Sequence, residues 1–257
     1  MNLCIDVGNT TIGVGFFKEE KLLKRLIFTV DEKKTKDEYL SILYRTLKEN
    51  NFATDDVKQI IFSSVVPSVN IHLLGALREC FHIEPMRIAP GIKTGLTVHV
   101  DNPNEIGNDL IAVMVGAKEK YHYPCLIADL GTASKVLLVD KTGAFTSCVI
   151  MPGLSLSANS LSNRAALLPE VSLAAPKTIM AKNTVDAMNA GITIGHAEMV
   201  NGVIARYEKE LGYKCKHILT GGGAVYVKEI IGNNFIYDES LVLDGLNLII
   251  KKNEGNR

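Results

Sequence analysis

The chain has no net charge: its 28 lysines and arginines are balanced by 28 aspartates and glutamates. No overall field therefore draws it to nucleic acid or to an anionic membrane, and neither is an expected partner. A helix-turn-helix signal is missing as well, which weighs against direct DNA binding. Long apolar runs are absent. Stretches such as "LIAVMVGA" (110–117) are too short to span a bilayer. The opening "MNLCIDVGN" carries no charged leader ahead of an apolar segment, so no secretory signal is expected. Cysteine is sparse. Cys4, Cys80, Cys125, Cys148 and Cys215 form no Cys-x-x-Cys pair and no Cys/His spacing of a zinc site. Their odd number and wide scatter point to reduced thiols in a cytoplasmic protein, with Cys4 and Cys125 acting as small apolar residues in strands. Two nucleotide signatures are also lacking, the Walker A loop and the Gly-x-Gly-x-x-Gly fingerprint, which argues against a P-loop or a Rossmann dinucleotide fold.

What remains is ordinary in bulk. A composition of 47% apolar and 22% charged residues is that of a globular protein with no disordered segment except "KKNEGNR" at the end, which is expected to fray. A length of 257 residues fits one large domain or two of common size. After an initial hairpin, "EKLLKRLIFTV" reads as a strand, and Tyr39, Leu40, Ile42, Leu43 and Leu47 recur at helical spacing. "VKQIIFSSVVP" is a strand and the segment after Pro67 a helix, giving the strand-helix alternation of a sheet covered by helices. A turn at Asn102-Pro103 leads into a mostly apolar helix. Then "CLIADLG", "KVLLVD" and "FTSCVIMPG" read as three strands, "TVDAMNAG…EKELG" as a long helix, and "KHILTGGGAVYVKEII" as strand, glycine turn and helix.

One pattern occurs twice. "LCIDVGNTTIGVGFF" and "LIADLGTASKVLLVD" are each an apolar run ending in an aspartate, then a glycine and hydroxyl residues, then a second strand-like run. An aspartate at a strand end presents an oxygen ligand to a cation, and a following glycine lets backbone approach a phosphate. A plain hairpin uses the same turn residues. Matching copies in two halves favour the cation-and-phosphate reading. If two such aspartates face one another they bring negative charge to one point, which is costly unless a cation sits there or the groups are well solvated. "TGGGA" (220–224) follows a strand and opens a helix, a possible anion-docking turn but equally a tight turn.

"DVGNT", "DLGTA" and "TGGGA", in this order, resemble the nucleotide-clasping elements of the superfamily of acetate and sugar kinases, heat-shock chaperones and actin. Together with "SSVVP" (63–67), "NPNEIGND" (102–109), "MPG" (151–153) and "NTVDAMNAG" (183–191), the set is similar to the type III pantothenate kinases over almost the whole chain. The resemblance implies an α/β fold of two duplicated actin-like (ribonuclease H-like) α/β domains with a nucleotide cleft between them, here residues 1–117 and 118–257. It further implies a homodimer that phosphorylates pantothenate from Mg-ATP, beginning coenzyme A synthesis, with a monovalent cation, potassium or ammonium.

Carried onto matching positions, the resemblance makes Asp109 the catalytic base. Asp6, Val7, Gly8, Asn9, Thr10, Thr11, Ile12 and Gly13 become the first phosphate loop, with Asp6 near magnesium. Thr132 contacts ATP, Asp129 binds the monovalent cation, and Gly107, Asn108, Asp109, Leu110 and Thr184 lie at the acceptor. Asp109 also suits the first turn of a helix, and Asn183-Thr184 a helix start. The chain departs from the family where Gly-Ala-Asp-Arg becomes Gly107-Asn108-Asp109-Leu110 and a common tyrosine becomes Val100. Leucine cannot bind a carboxylate as arginine does. Lys93, Arg87 and Arg164 are the candidates to compensate. Two other readings stay open, a kinase of a related small alcohol and a catalytically weak nucleotide-binding regulatory protein. Ala187, Gly191 and Gly195 mark a small-residue face for a dimer or for internal packing, and His196 and His217 read as structural.

Overall fold

The computed structural model describes residues 1–89, 91–165 and 167–254; Gly255, Asn256 and Arg257 of the terminus expected to fray lie outside the described residues. In chain order the strands are β1 (Asn2–Val7), β2 (Thr11–Lys18), β3 (Lys21–Thr29), β4 (Gln59–Ser64), β5 (Met86–Arg87), β6 (Thr97–Val98), β7 (Cys125–Leu130), β8 (Ala133–Val139), β9 (Ala144–Pro152), β10 (Lys216–Thr220) and β11 (Phe235–Tyr237). The α-helices are α1 (Lys36–Glu49), α2 (Pro67–Phe81), α3 (Asn108–Tyr121), α4 (Leu154–Arg164), α5 (Thr184–Leu211) and α6 (Leu241–Lys252).

The chain divides into two compact units, one of Met1–Leu96, Asn102–Gly116 and Ser240–Arg257, the other of Thr97–Asp101 and Ala117–Glu239. The sequence-based division at 117/118 therefore needs two corrections. The last helix belongs to the first unit, because its apolar face, Leu243, Leu246, Ile249 and Ile250, is buried against Cys4 and Ile61 of β1 and β4. Residues 97–101 belong to the second, because β6 pairs with β9.

The first unit is a five-stranded sheet in the order β3-β2-β1-β4-β5. β2 runs antiparallel to β1 and β3, while β4 runs parallel to β1 and β5. Alternation along β1 decides which side chains meet which layer. Leu3, Ile5 and Val7 pack with Tyr39, Leu43 and Leu47 of α1 and with Leu73 and Leu77 of α2. Cys4 lies in the opposite layer with Ala112 and Val115 of α3 and the apolar face of α6. α1 starts where expected because Thr35 and Glu38 form a capping box, the Glu38 N–H donating to Thr35 Oγ1 at 3.3 Å and the Thr35 N–H to Glu38 Oε2 at 2.8 Å.

The second unit repeats this plan. Its sheet runs β11-β10-β7-β8-β9-β6, so that β9-β8-β7-β10-β11 matches β3-β2-β1-β4-β5 strand for strand and sense for sense, with β6 added at the edge. β1 and β7 have six residues each and the same pattern, buried except at the aspartate in fifth place. Leu126, Ala128 and Leu130 pack against Leu154 and Ala158 of α4 and Met188, Ile192 and Val200 of α5. α4 lies inside the Ser-, Leu- and Ala-rich stretch that has no clear period in sequence.

The cysteines form no disulfide. Burial pushes the Cys125 thiol up to about 12 and the Cys4 thiol well above its ordinary value, so both stay as inert apolar groups.

α5 starts at an Asn183 cap, whose Oδ1 accepts from the Asp186 N–H at 2.9 Å. It ends at Gly212 with φ +73°. Near that end Glu208 ties three segments together, accepting from Lys214 Nζ at 2.6 Å, Cys215 N–H at 3.0 Å and His217 Nε2 at 2.9 Å. Burial alone would raise the Glu208 carboxyl, but these donors outweigh it and hold it at about 2. A depressed carboxylate contributes stability that is fully present above its unfolded value, near 4.5, and fades as the pH falls toward about 2. In urea unfolding across that window, Glu208→Gln is expected to be less stable than wild type at neutral pH and to show a shallower acid loss. Equal slopes for the two proteins would remove Glu208 from the acid response.

Candidate functional site

In the first unit, β1 delivers Asp6 to its C-terminal end on the Cys4 side of the sheet, the layer that holds α3 and α6. Gly13 stands opposite Asp6 on β2, and Ser63 stands beside it on β4. Ser63 is fully buried and its Oγ has no hydrogen-bond partner among the described residues. Between the strands the chain turns tightly, the Gly8 N–H donating to Thr11 O at 3.0 Å. That amide is consumed by the turn. The exposed side chains of the loop are those of Asn9, Thr10 and Thr11, while Val7 and Ile12 are buried core residues.

Asp109 lies in the first turn of α3, where the Ile111 N–H donates to Gly107 O at 3.2 Å. The helix-start reading of this carboxylate therefore holds. Ala112, one turn further along α3, packs in the Cys4 layer, so Asp109 lies on the side of the sheet that carries Asp6. The Asp109 carboxylate folds back over Gly107, and a Cβ added there would collide with its Oδ1. Glycine at 107 thus leaves the carboxylate its place, and a side chain there would oblige the carboxylate to swing away. α3 is fixed in turn by close helix contact with α6, since a Cβ on Gly245 would run into the Ala112 carbonyl and one on Gly116 would stand 2.6 Å from Leu241 O.

In the second unit, Asp129 takes the place of Asp6, with Thr220 beside it on β10 and Lys135 opposite it on β8. Lys135 Nζ lies 3.4 Å from Asp129 Oδ2. Thr132 is exposed at the turn, and its carbonyl accepts from the Gly153 N–H at 3.1 Å. Gly153 of "MPG" leaves no room for a side chain, because a Cβ would collide with the Gly131 and Thr132 carbonyls. Gly221 has φ +89°, and a Cβ there would stand 2.6 Å from Leu130 N and 2.7 Å from Asp129 Oδ1. Ser134 is not aimed at a ligand. Its Oγ lies 2.9 Å from His196 Nε2, both groups are buried, and burial lowers the imidazole's proton affinity, so His196 is a neutral structural partner.

One expectation requires correction. The "TGGGA" turn opens a short 3-10 helix, Gly222–Tyr226, and not the helix the sequence suggested. Three glycines followed by Val225 and Val227 are poor helix formers, so the turn offers tight backbone packing on Asp129 and no helix N-terminus for an anion. Thr184 is exposed at the start of α5, and Leu110 is half-buried on α3. Arg87 lies on β5, Lys93 in the loop after it and Arg164 at the end of α4, on three separate elements. Sequence reasoning did not assign Ser63, Lys135 or Gly153 a place at the site, and gave Gly107 one without its contact to Asp109. Lys135 and Ser63 were within reach from hairpin and parallel-strand register, whereas the contacts of Gly107 and Gly153 exist only in three dimensions.

No group of three or more His, Cys, Asp or Glu side chains able to hold a metal occurs among the described residues. A single strand-end carboxylate such as Asp6 suits magnesium that arrives with phosphate, since that ion keeps water and phosphate oxygens as most of its ligands. No helix of the described residues is long and apolar enough to cross a membrane.

Comparison with known proteins places this geometry. The type III pantothenate kinase family profile matches residues 2–206. The type III pantothenate kinase of Halalkalibacterium halodurans is 37% identical over 253 residues, covering 98% of this chain and all of that protein. That of Citrifermentans bemidjiense is 39% identical over 254 residues, covering 99% of this chain and all of that protein. Among solved structures, a conserved putative Baf family transcriptional activator from Campylobacter jejuni superposes with a TM-score of 0.61 at 20% identity, covering 98% of each chain. A ROK hexokinase from Thermus thermophilus gives 0.53 at 11% identity, covering 98% of this chain and 99% of that one, a likeness of fold alone. Two α/β units of one repeated plan, strand-end aspartate turns in both, and 37–39% identity over nearly the whole chain converge: the chain belongs to the type III pantothenate kinase family.

Proposed function

We propose that this protein transfers the γ-phosphoryl group of ATP to the hydroxyl of pantothenate, yielding phosphopantothenate at the first step of coenzyme A biosynthesis. The observation that carries the reading is the placement of Asp6 and Asp109 on one side of the first sheet, with Asp129 at the matching strand end of the second. Phosphoryl transfer asks a protein for little covalent chemistry. It asks for alignment, counter-charge and a group to take the acceptor's proton. Magnesium, when bound with ATP, neutralises phosphate charge. Asp6 is the carboxylate to hold it, Asn9, Thr10 and Thr11 donate to phosphate oxygens, and Thr132 contacts ATP. Asp129 is the carboxylate the family reading pairs with potassium or ammonium. Asp109 accepts the hydroxyl proton of pantothenate as that oxygen bonds to phosphorus. Gly107, Asn108, Leu110 and Thr184 line the acceptor side.

A homodimer working in the cytoplasm completes the proposal. Ala187, Gly191 and Gly195 are exposed on α5, Cβ atoms added at the two glycines would meet nothing within 4 Å, and the groove they share with residues 179–181 has a volume of about 430 Å³. Packing among the described residues leaves this stripe exposed, which supports the dimer reading over the internal one.

Asp109→Asn is expected to keep ATP affinity and lower turnover by about a hundredfold or more, the usual scale of general-base loss. Unchanged turnover would take Asp109 out of the reaction. Gly107→Ala should also slow turnover, on the order of a hundredfold, by displacing that carboxylate while leaving the unfolding midpoint near wild type. A second reading, with another small alcohol as acceptor, is favoured by one observation, the apolar Leu110 where the family carries arginine. Pantothenate KM measured for Leu110→Arg separates the two. A lower KM shows a missing carboxylate contact, and an unchanged one shows that the chain meets the carboxylate elsewhere.

A further inference from the structure

The two repeated sheets differ at one position next to their aspartates. Asp6 and Asp129 occupy the same place in β1 and β7, and the facing residue on the antiparallel neighbour is Gly13 in one and Lys135 in the other. Gly13 brings no side chain and no charge to that position, and a Cβ added there would make ordinary contacts, 3.9 Å from Asp6 O and from Leu243 Cδ2. At the equivalent position of the second unit the chain supplies an ammonium group itself. Lys135 Nζ is 3.4 Å from Asp129 Oδ2, the two side chains being 19% and 13% exposed. The other carboxylate oxygen, Oδ1, is crowded by the Gly221 backbone.

We propose that the Lys135 ammonium supplies at Asp129 the single positive charge a free monovalent cation would otherwise bring, so that this enzyme works without potassium or ammonium ions. The inference rests on the reading that Asp129 faces the nucleotide. Its physical basis is charge and tethering. A directly cross-strand pair holds the ammonium beside the carboxylate at all times, whereas a free ion must be captured from solution. A second cation at the same carboxylate would meet the like charge of Lys135 at short range in a poorly solvated setting. The donor set at Asp129 therefore does not fit an additional monovalent ion, although the resemblance to the family implies one.

The test compares ATP binding by calorimetry, thermal unfolding and pantothenate-dependent ADP release in potassium chloride and in tetramethylammonium chloride at equal ionic strength, with magnesium constant. Wild type is expected to give the same affinity and turnover in both salts within about twofold, and no potassium-dependent rise in unfolding temperature. Lys135→Met should lose ATP affinity by about tenfold or more in tetramethylammonium, regain it in potassium, and acquire a potassium-dependent rise in unfolding temperature. Lys135→Arg, which keeps the charge, should remain insensitive to potassium. A potassium requirement in wild type overturns the proposal, as does a folded Lys135→Met that is indifferent to potassium. If that variant does not fold, the wild-type comparison decides alone. Asp129→Asn separates the two layers of the argument. Unchanged ATP affinity in that variant removes Asp129 from the nucleotide site and the proposal with it, whereas weakened ATP binding together with a potassium-dependent wild type removes only the role of Lys135.

Discussion

A carboxylate at the end of an interior strand is the constraint on which the rest of this structure depends. Placing Asp6 and Asp129 at the fifth position of fully hydrogen-bonded strands fixes them in space, because the residues before them are locked in the core. It also takes them partly out of water, which is costly unless opposite charge or donors are near. The two halves meet that cost differently. The first leaves a glycine facing its aspartate and a buried serine hydroxyl beside it, while the second has a lysine facing and a threonine beside. One duplicated frame thus yields one aspartate faced by a bare glycine and one that carries its own positive charge.

Close backbone approach is the second requirement, and glycine supplies it at few but decisive points. Gly107 lets the Asp109 carboxylate fold back, Gly153 admits the carbonyls of the Asp129 turn, and Gly221 lets a third turn pack against Asp129 itself. Gly245 plays the same part at a distance from the chemistry. By allowing α6 to lie against α3 at Ala112, it sets the helix whose first turn presents Asp109. Helix α6, late in the chain, is therefore part of the frame that holds Asp6, Gly107 and Asp109 of the first unit, all from the first half of the sequence.

Much of this was legible in the sequence. The repeated Asp-x-Gly turns gave away the duplication, apolar periodicity located α1, and proline and turn signals beside apolar runs located α2, α3 and the strands that carry the aspartates. Register is what periodicity does not reveal. Pairing Asp129 with Lys135 requires knowing where the hairpin turns, and placing Ser63 beside Asp6 requires a parallel pairing between strands separated by a helix. The allegiance of α6 was hidden for a related reason, since an amphipathic helix at the end of a chain can cover any apolar sheet face of matching area. The glycine turn at Thr220 misled because strand-glycine-helix is a common order, and only the β-branched residues after it hint that the helix stays short.

The most direct test of the central claim is pantothenate-dependent ADP release from Mg-ATP by the wild-type protein, with the acceptor product identified by mass spectrometry. The account predicts stoichiometric ADP and phosphopantothenate, and no ADP above background when pantothenate is omitted. ATP binding with no ADP release in the presence of pantothenate would contradict it.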